Sequence, residues 1–277
     1  SPAVGDGGTP SGPLLLMASG SVHSPDCRFT MNISMNALSV DHEVVESKTM
    51  NYAFLMMAAT VAQMALVLRA LRDAGSQSSA NRMSLLTVGM MAQMDAYMCL
   101  THLVGGMLVE SVFNAFATVA FGKLLLFSVL EMRLLLSIWK ARRGQAFTES
   151  VTAMRRELGI LYARFYCALL GGLFLLYYTL DFVTVLVFLA FSFWVPQIVH
   201  TAQHGTRDPY GVPYIVSMSV TRLFLPLYVY ACPDNFVQQY VPYEPAAGTA
   251  LALAGWVALQ VAVLLAQRRF GPNFFVP

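Results

Sequence analysis

Charge is scarce in this sequence. Only 12% of its 277 residues are Asp, Glu, Lys or Arg, about half the share of an ordinary soluble domain, which excludes a water-soluble globule with a charged shell. Cysteine is also scarce: Cys27, Cys99, Cys167 and Cys232 stand alone, with no C-x-x-C or other zinc spacing, so the sequence carries no metal or dithiol motif of its own. The formal net charge is +2, and the basic residues are scattered over short segments. No basic patch suited to nucleic acid is formed. A leader with a charged start, an apolar centre and a cleavage site is also missing, and the sequence opens at Ser1; the chain is expected to be part of a longer protein.

Hydrocarbon is abundant. Hydrophobic residues make up 57% of the sequence and gather in blocks of about 20, the length that crosses roughly 30 Å of hydrocarbon at 1.5 Å per residue. Seven blocks follow one another: Met50 to Leu68, Met83 to Val109, Val112 to Trp139, Leu158 to Tyr178, Leu180 to Val199, Val212 to Ala231, and Ala246 to Gln267. The expected fold is all-α, a polytopic membrane protein of seven transmembrane helices with the lipid bilayer as its solvent. Only Glu110 and Ser111 separate the second and third blocks, and only Thr179 the fourth and fifth, which predicts two tight helical hairpins. Residues 1–20, rich in Gly, Ser and Pro, read as a flexible linker. Residues 21–49 read as a lumenal segment, the end of a preceding lumenal domain, and 268–277 as a cytosolic tail.

Basic residues are retained on the cytosolic side of a membrane. Arg69, Arg72, Arg82, Lys140, Arg142, Arg143, Arg155, Arg156, Arg207, Arg268 and Arg269 fall on one side, eleven in all, against Arg28 and Lys48 on the other. With an odd number of spans, that asymmetry puts the N-terminus in the lumen and the C-terminus in the cytosol. It also places Asn32-Ile33-Ser34 where N-glycosylation of Asn32 takes place. Cys27 and Cys232 then share the lumenal side, where a disulfide can persist.

Charges inside hydrocarbon cost at least about 2.5 kcal/mol each on insertion scales, so the few present demand partners. Asp95 and His102 are seven residues apart on the second span and share a helix face. Lys123 and Glu131 lie on the third span and Arg222 lies mid-way along the sixth. Two readings follow: a polar pathway or binding cavity between spans two, three and six, with Asp95 or Glu131 as counter-ion to Arg222 or Lys123, or interhelical pairing that fixes packing. Arg133 and Arg164 are close enough to span ends to snorkel. Pro196 and Gln197 mark the end of the fifth span and Pro226 interrupts the sixth; proline deletes a backbone hydrogen bond, which makes all three hinge candidates.

Specific words go further than composition. Ser24-Pro25-Asp26-Cys27, Trp194-Val195-Pro196-Gln197-Ile198, Gly205-Thr206-Arg207, the stretch from Ser219 to Tyr228, Cys232-Pro233-Asp234-Asn235, Trp256 to Gln260 and Gly271 to Pro277 occur in an order and spacing that resembles the membrane region of transmembrane RING E3 ubiquitin ligases of the fungal Tul/Dsc and plant FLYING SAUCER type. The resemblance implies a lumenal domain before the spans and a zinc-binding RING domain after the closing Gly-Pro-x-Phe-Phe segment. No RING ligand pattern lies in residues 1–277. It further implies a membrane-anchoring and recognition module in membrane-protein quality control and protein ubiquitination. Membrane-protein clients, other ligase-complex membrane subunits and a ubiquitin-conjugating enzyme engaged through the RING are the implied partners, and a Golgi or endosomal membrane the implied location. No catalytic residue, metal or cofactor is expected within these residues. The residues alone leave two rivals, a seven-helix transporter hinged like the PQ-loop proteins and a heptahelical receptor.

Overall fold

The computed structural model describes residues 14–24, 29–39, 42–108, 110–143, 150–179, 182–207, 209–233, 235–239 and 246–274. Two strands, β1 (Leu14–Ser24) and β2 (Phe29–Ser39), precede a helical body. They pair antiparallel, with Val22 opposite Met31, Gly20 opposite Ile33 and Ser21 opposite Asn32. Because strand side chains alternate, this register sorts Ala18, Val22, Met31, Ile33 and Met35 onto one face and Ser19, Ser21, His23, Thr30, Asn32 and Ser34, together with Met17, onto the other, mainly polar one. Residues 14–20, assigned to a linker from composition, therefore form most of the first strand.

The helices are α1 (His42–Asp73), α2 (Gln77–Arg82), α3 (Leu85–Leu108), α4 (Phe113–Leu125), α5 (Met132–Arg142), α6 (Val151–Tyr178), α7 (Val183–Ala190), α8 (Val195–His204), α9 (Val212–Ala231) and α10 (Ala247–Phe270). α1 starts eight residues before the expected first span. Its first turn carries Glu43 and its last Arg72, each of the sign that the helix dipole favours at that end. A turn of 3₁₀ helix at Glu110–Val112 joins α3 to α4, forming the tight hairpin that the short spacer requires. Leu126–Glu131, between α4 and α5, is wound as a π-helix. α8 closes on Gly205, whose φ of 60° is the left-handed geometry that glycine adopts without a Cβ clash.

Among the described residues, five helices are long and apolar enough to cross a membrane: Glu43–Asp73, Glu110–Arg142, Val151–Tyr178, Val212–Ala231 and Ala247–Phe270. A sixth is formed if α7 and α8, bent by 42° at their junction, act as one span. This is fewer than the expected seven, for two physical reasons. α3 has the length, at 24 residues, but Gln93, Asp95 and His102 lower its apolarity. The expected fifth span is broken at Phe191–Trp194, where the backbone turns instead of continuing the helix.

One apolar core runs between α1, α3, α5, α9 and α10, with Met83, Met91, Leu126, Ile138, Phe193, Trp194, Ile215, Met218 and Leu253 almost completely enclosed. A second, smaller cluster gathers Tyr52, Val112, Phe116, Val119 and Phe236 at the other end. α6 lies at the rim, with only Leu161 and Phe165 of its 28 residues buried.

Candidate functional site: a buried ion network between four helices

The interior of the bundle holds two carboxylates and two cations, each almost wholly removed from solvent: Asp95 1%, Glu131 1%, Lys123 1% and Arg222 6% exposed. Lys123 Nζ donates to Asp95 Oδ1 at 2.7 Å and to Gln63 Oε1 at 2.7 Å. Arg222 Nη2 donates to Asp95 Oδ2 at 2.7 Å and to Glu131 Oε1 at 2.9 Å, and Arg222 Nη1 to the Met91 carbonyl at 3.3 Å. The cluster is balanced in sign, which offsets the cost of burying each charge. It ties α1, α3, the Glu110–Arg142 helix and α9 together.

Local structure aims these groups. Eight residues of ideal α-helix turn by about 800°, leaving Lys123 and Glu131 about 80° apart around the axis. The wider turns of the π segment reduce that offset, and both side chains reach Asp95 or Arg222. On α9, Pro226 lacks the N–H that would bond the carbonyl four residues earlier, and that carbonyl belongs to Arg222. The guanidinium carbon also lies 5.8 Å from the centre of the Phe193 ring.

The network is not fully satisfied. Glu131 Oε2 and Arg222 Nε are buried without a hydrogen-bond partner. A cavity of about 310 Å³ borders the cluster, lined by Gln63, Asp95, Lys123, Thr221, Arg222 and Pro226 together with apolar side chains. A polar group entering that cavity would meet charges already oriented and freed from water. The described residues contain no group of three His, Cys, Asp or Glu side chains fit to hold a metal.

His102 does not join Asp95. Seven residues of helix carry it about 10 Å along α3, into the second apolar cluster. There its Nδ1 faces the Met98 carbonyl at 2.7 Å, so Nδ1 carries the hydrogen, and Nε2 accepts from the Tyr52 hydroxyl at 2.8 Å. Phe116, Phe224, Tyr228 and Phe236 pack around Tyr52.

Pro196 occupies the first turn of α8, where its missing N–H would be unbonded anyway. Gln197, fully buried, accepts from the Ser84 N–H at 2.7 Å and donates to the Arg82 carbonyl at 3.0 Å and the Thr201 hydroxyl at 3.2 Å. It holds the start of α3 against α8. The break just before Pro196 is stitched from α10: Gln260 accepts from the Trp194 N–H at 3.2 Å and donates to the Phe191 carbonyl at 2.9 Å. Trp194 Nε1 reaches Ser219 Oγ at 2.8 Å. Asn32 is exposed on the polar face of the hairpin. Cys232 is partly exposed with a free thiol, and Cys27 lies outside the described residues.

From sequence no role falls to Gln63, Tyr52 or Gln260, although Gln260 closes one of the family-like words. Each is a neutral polar side chain in an apolar run, and that isolation is the signal that could have marked its role.

A family model described as transmembrane E3 ligase/DUF2921 transmembrane domain matches residues 41–277. The transmembrane E3 ubiquitin-protein ligase FLY2 of Arabidopsis thaliana is 44% identical over 245 residues, covering 88% of this chain and 43% of that protein. FLY1 of the same plant is 42% identical over 277 residues, 100% of this chain and 45% of its own length. Subunit 1 of the DSC E3 ubiquitin ligase complex of Schizosaccharomyces pombe is 26% identical over 321 residues, with 95% of this chain and 45% of that protein covered. The chain thus spans less than half the length of these relatives. No solved structure matches it.

Proposed function

Because the chain belongs to the transmembrane E3 ligase/DUF2921 family, we propose that it is the membrane module of a ubiquitin ligase, anchoring the enzyme and recognising clients and partner subunits within the bilayer. The observation that carries this reading is the ion network: Asp95, Lys123, Glu131 and Arg222 lock three helices together, Gln63 of α1 adds a fourth, and Arg222 Nε is left without a partner beside a cavity. A client span with a misplaced polar side chain loses its cost in hydrocarbon by hydrogen bonding there, whereas an apolar span gains nothing. Discrimination then rests on the difference between the two.

On this reading α3 and the bent α7–α8 pair complete seven spans, and the basic loops face the cytosol with the N-terminus in the lumen. The chain itself contributes no bond-making step. Ubiquitin transfer would come from a zinc-holding RING elsewhere in the protein, which brings a charged conjugating enzyme near client lysines. A Golgi or endosomal membrane, a role in membrane-protein quality control and assembly with other ligase subunits complete the proposal. The name of the yeast relative, a subunit of a ligase complex, supports the last point.

The test is client capture by the full-length protein. Asp95→Asn and Arg222→Gln are expected to reduce co-purification and ubiquitination of clients with polar residues in their spans. Unchanged capture and ubiquitination by variants that still elute as folded protein would overturn the proposal. A pH-dependent solute flux through the purified chain would favour a transporter instead.

A further inference from the structure

A second cavity is separate from the ion network. It is a groove of about 790 Å³ between α3, α5, α6 and α8, at the end of the bundle where Arg82, Met83, Arg142 and Gln197 meet. Its walls are mainly apolar, and its polar edge carries Arg142, Arg164 and His200 with no carboxylate among the lining residues.

The cations are held by uncharged groups, and the nearby carboxylate of Glu157 accepts from Trp139 Nε1 at 3.0 Å. Arg142 Nη2 donates to the Met83 carbonyl at 2.9 Å and to His200 Nε2 at 3.0 Å. Since Nε2 accepts, the hydrogen of the His200 ring sits on Nδ1, which is buried without a partner. The Arg164 guanidinium is stacked on Trp139, 5.3 Å from the ring centre. Neither arginine pairs with a carboxylate among the described residues. Two guanidinium groups and an unused N–H donor at one edge of an apolar groove complement an anion joined to hydrocarbon.

Volume argues against a peptide occupant. A helix 10–12 Å across would fill a space of this size within roughly 7–10 Å of its length, less than two turns. Flexible hydrocarbon chains fit where a helix does not, and the rim helix α6 leaves one wall open to lipid.

We propose that this groove binds one anionic phospholipid, its phosphate held by Arg142, Arg164 and His200 and its acyl chains lying on Leu85, Leu161 and Phe165. The inference stands whether or not the ion network selects clients. A lipid seated there would bridge α6 to the rest of the bundle, and α6 otherwise contributes only two buried residues.

The experiment is native mass spectrometry of the purified chain, delipidated in detergent and then given equal amounts of dioleoyl phosphatidylserine and dioleoyl phosphatidylcholine. One phosphatidylserine is expected to stay bound, with at least a tenfold preference. Arg142→Gln with Arg164→Gln should remove the preference, and Arg155→Gln with Arg156→Gln, exposed on α6 outside the groove, should keep it. Gly89→Leu supplies an independent test. A Cβ at Gly89, a lining residue, meets no atom within 4 Å, so the leucine fills the groove without disturbing the helix and should block the lipid. Equal retention of the two lipids, or full retention of phosphatidylserine by folded Gly89→Leu protein, would overturn the proposal. So would millimolar inorganic phosphate that raises the Tm as much as the lipid does, since that marks a simple phosphate site.

Discussion

Ser84 and Gln197 are separated by 113 positions and joined by a 2.7 Å hydrogen bond in which the backbone N–H that opens α3 donates to the Gln197 side chain. Gln197 Nε2 in turn donates to the Arg82 carbonyl, so Gln197 holds both sides of the α2–α3 turn. A glutamine next to a proline at a helix end reads as a hinge candidate from sequence; in this structure its side chain clamps the α2–α3 turn to α8.

Gln197→Ala is therefore expected to destabilise the chain by about 1–3 kcal/mol, the cost of leaving buried backbone groups unbonded. Gln197→Glu keeps the acceptor for Ser84 but loses both donors, so it should fall at or below the alanine variant. Thermal unfolding in detergent, followed by tryptophan fluorescence, measures both. An unchanged Tm for Gln197→Ala would show that the clamp carries no weight.

The ion network predicts non-additive mutations. Lys123→Met removes one of two cations and leaves Asp95 and Glu131 facing Arg222 alone, at an expected cost of about 3–5 kcal/mol. Adding Glu131→Gln restores the balance of sign. The double variant should then be more stable than Lys123→Met, with a coupling of about 1–3 kcal/mol in a double-mutant cycle. If the two losses simply add, the four groups do not act as one network.

Much of this architecture is legible in the sequence, and the illegible parts have a common cause. Apolar blocks mark the helices because hydrocarbon demands them, and Asp95, Lys123, Glu131 and Arg222 stand out because charge there is rare. The break at Phe191–Trp194 shows only through Pro196 just beyond it: Phe-Ser-Phe-Trp is itself apolar, and Gln260, 66 residues beyond Trp194, bonds the Trp194 N–H and the Phe191 carbonyl. The π turn is hidden, since Leu126–Glu131 has no proline or glycine. Neither deviation is set by the apolar residue types of its own segment. α3 shows the reverse case, in which the polar residues that reveal the site lower the apolarity that reveals a span.

Tyr52 and His102 predict a local effect with no bearing on the ion network. Tyr52→Phe keeps the ring stack and leaves His102 Nε2 buried without its donor, at an expected cost of about 1–3 kcal/mol. His102→Leu added to Tyr52→Phe removes both polar partners, so most of that loss should return. Comparison of the two Tm values tests this, and equal values would mean that the hydroxyl–imidazole bond does not matter.

Asn32 tests the proposed orientation. Its side chain is exposed on the polar face of the β-hairpin, opposite to the face that carries Val22, Met31, Ile33 and Met35, so a glycan there would not disturb whatever covers the apolar side. With the N-terminus in the lumen, protein made in a eukaryotic secretory pathway should carry one glycan on this sequon. Peptide N-glycosidase should then shift its mobility on a gel, and Asn32→Gln should abolish the shift. A chain that shows no shift, while a sequon introduced between α2 and α3 is glycosylated, would have the opposite orientation. The eleven basic residues would then face the lumen, against the charge rule that membrane insertion follows.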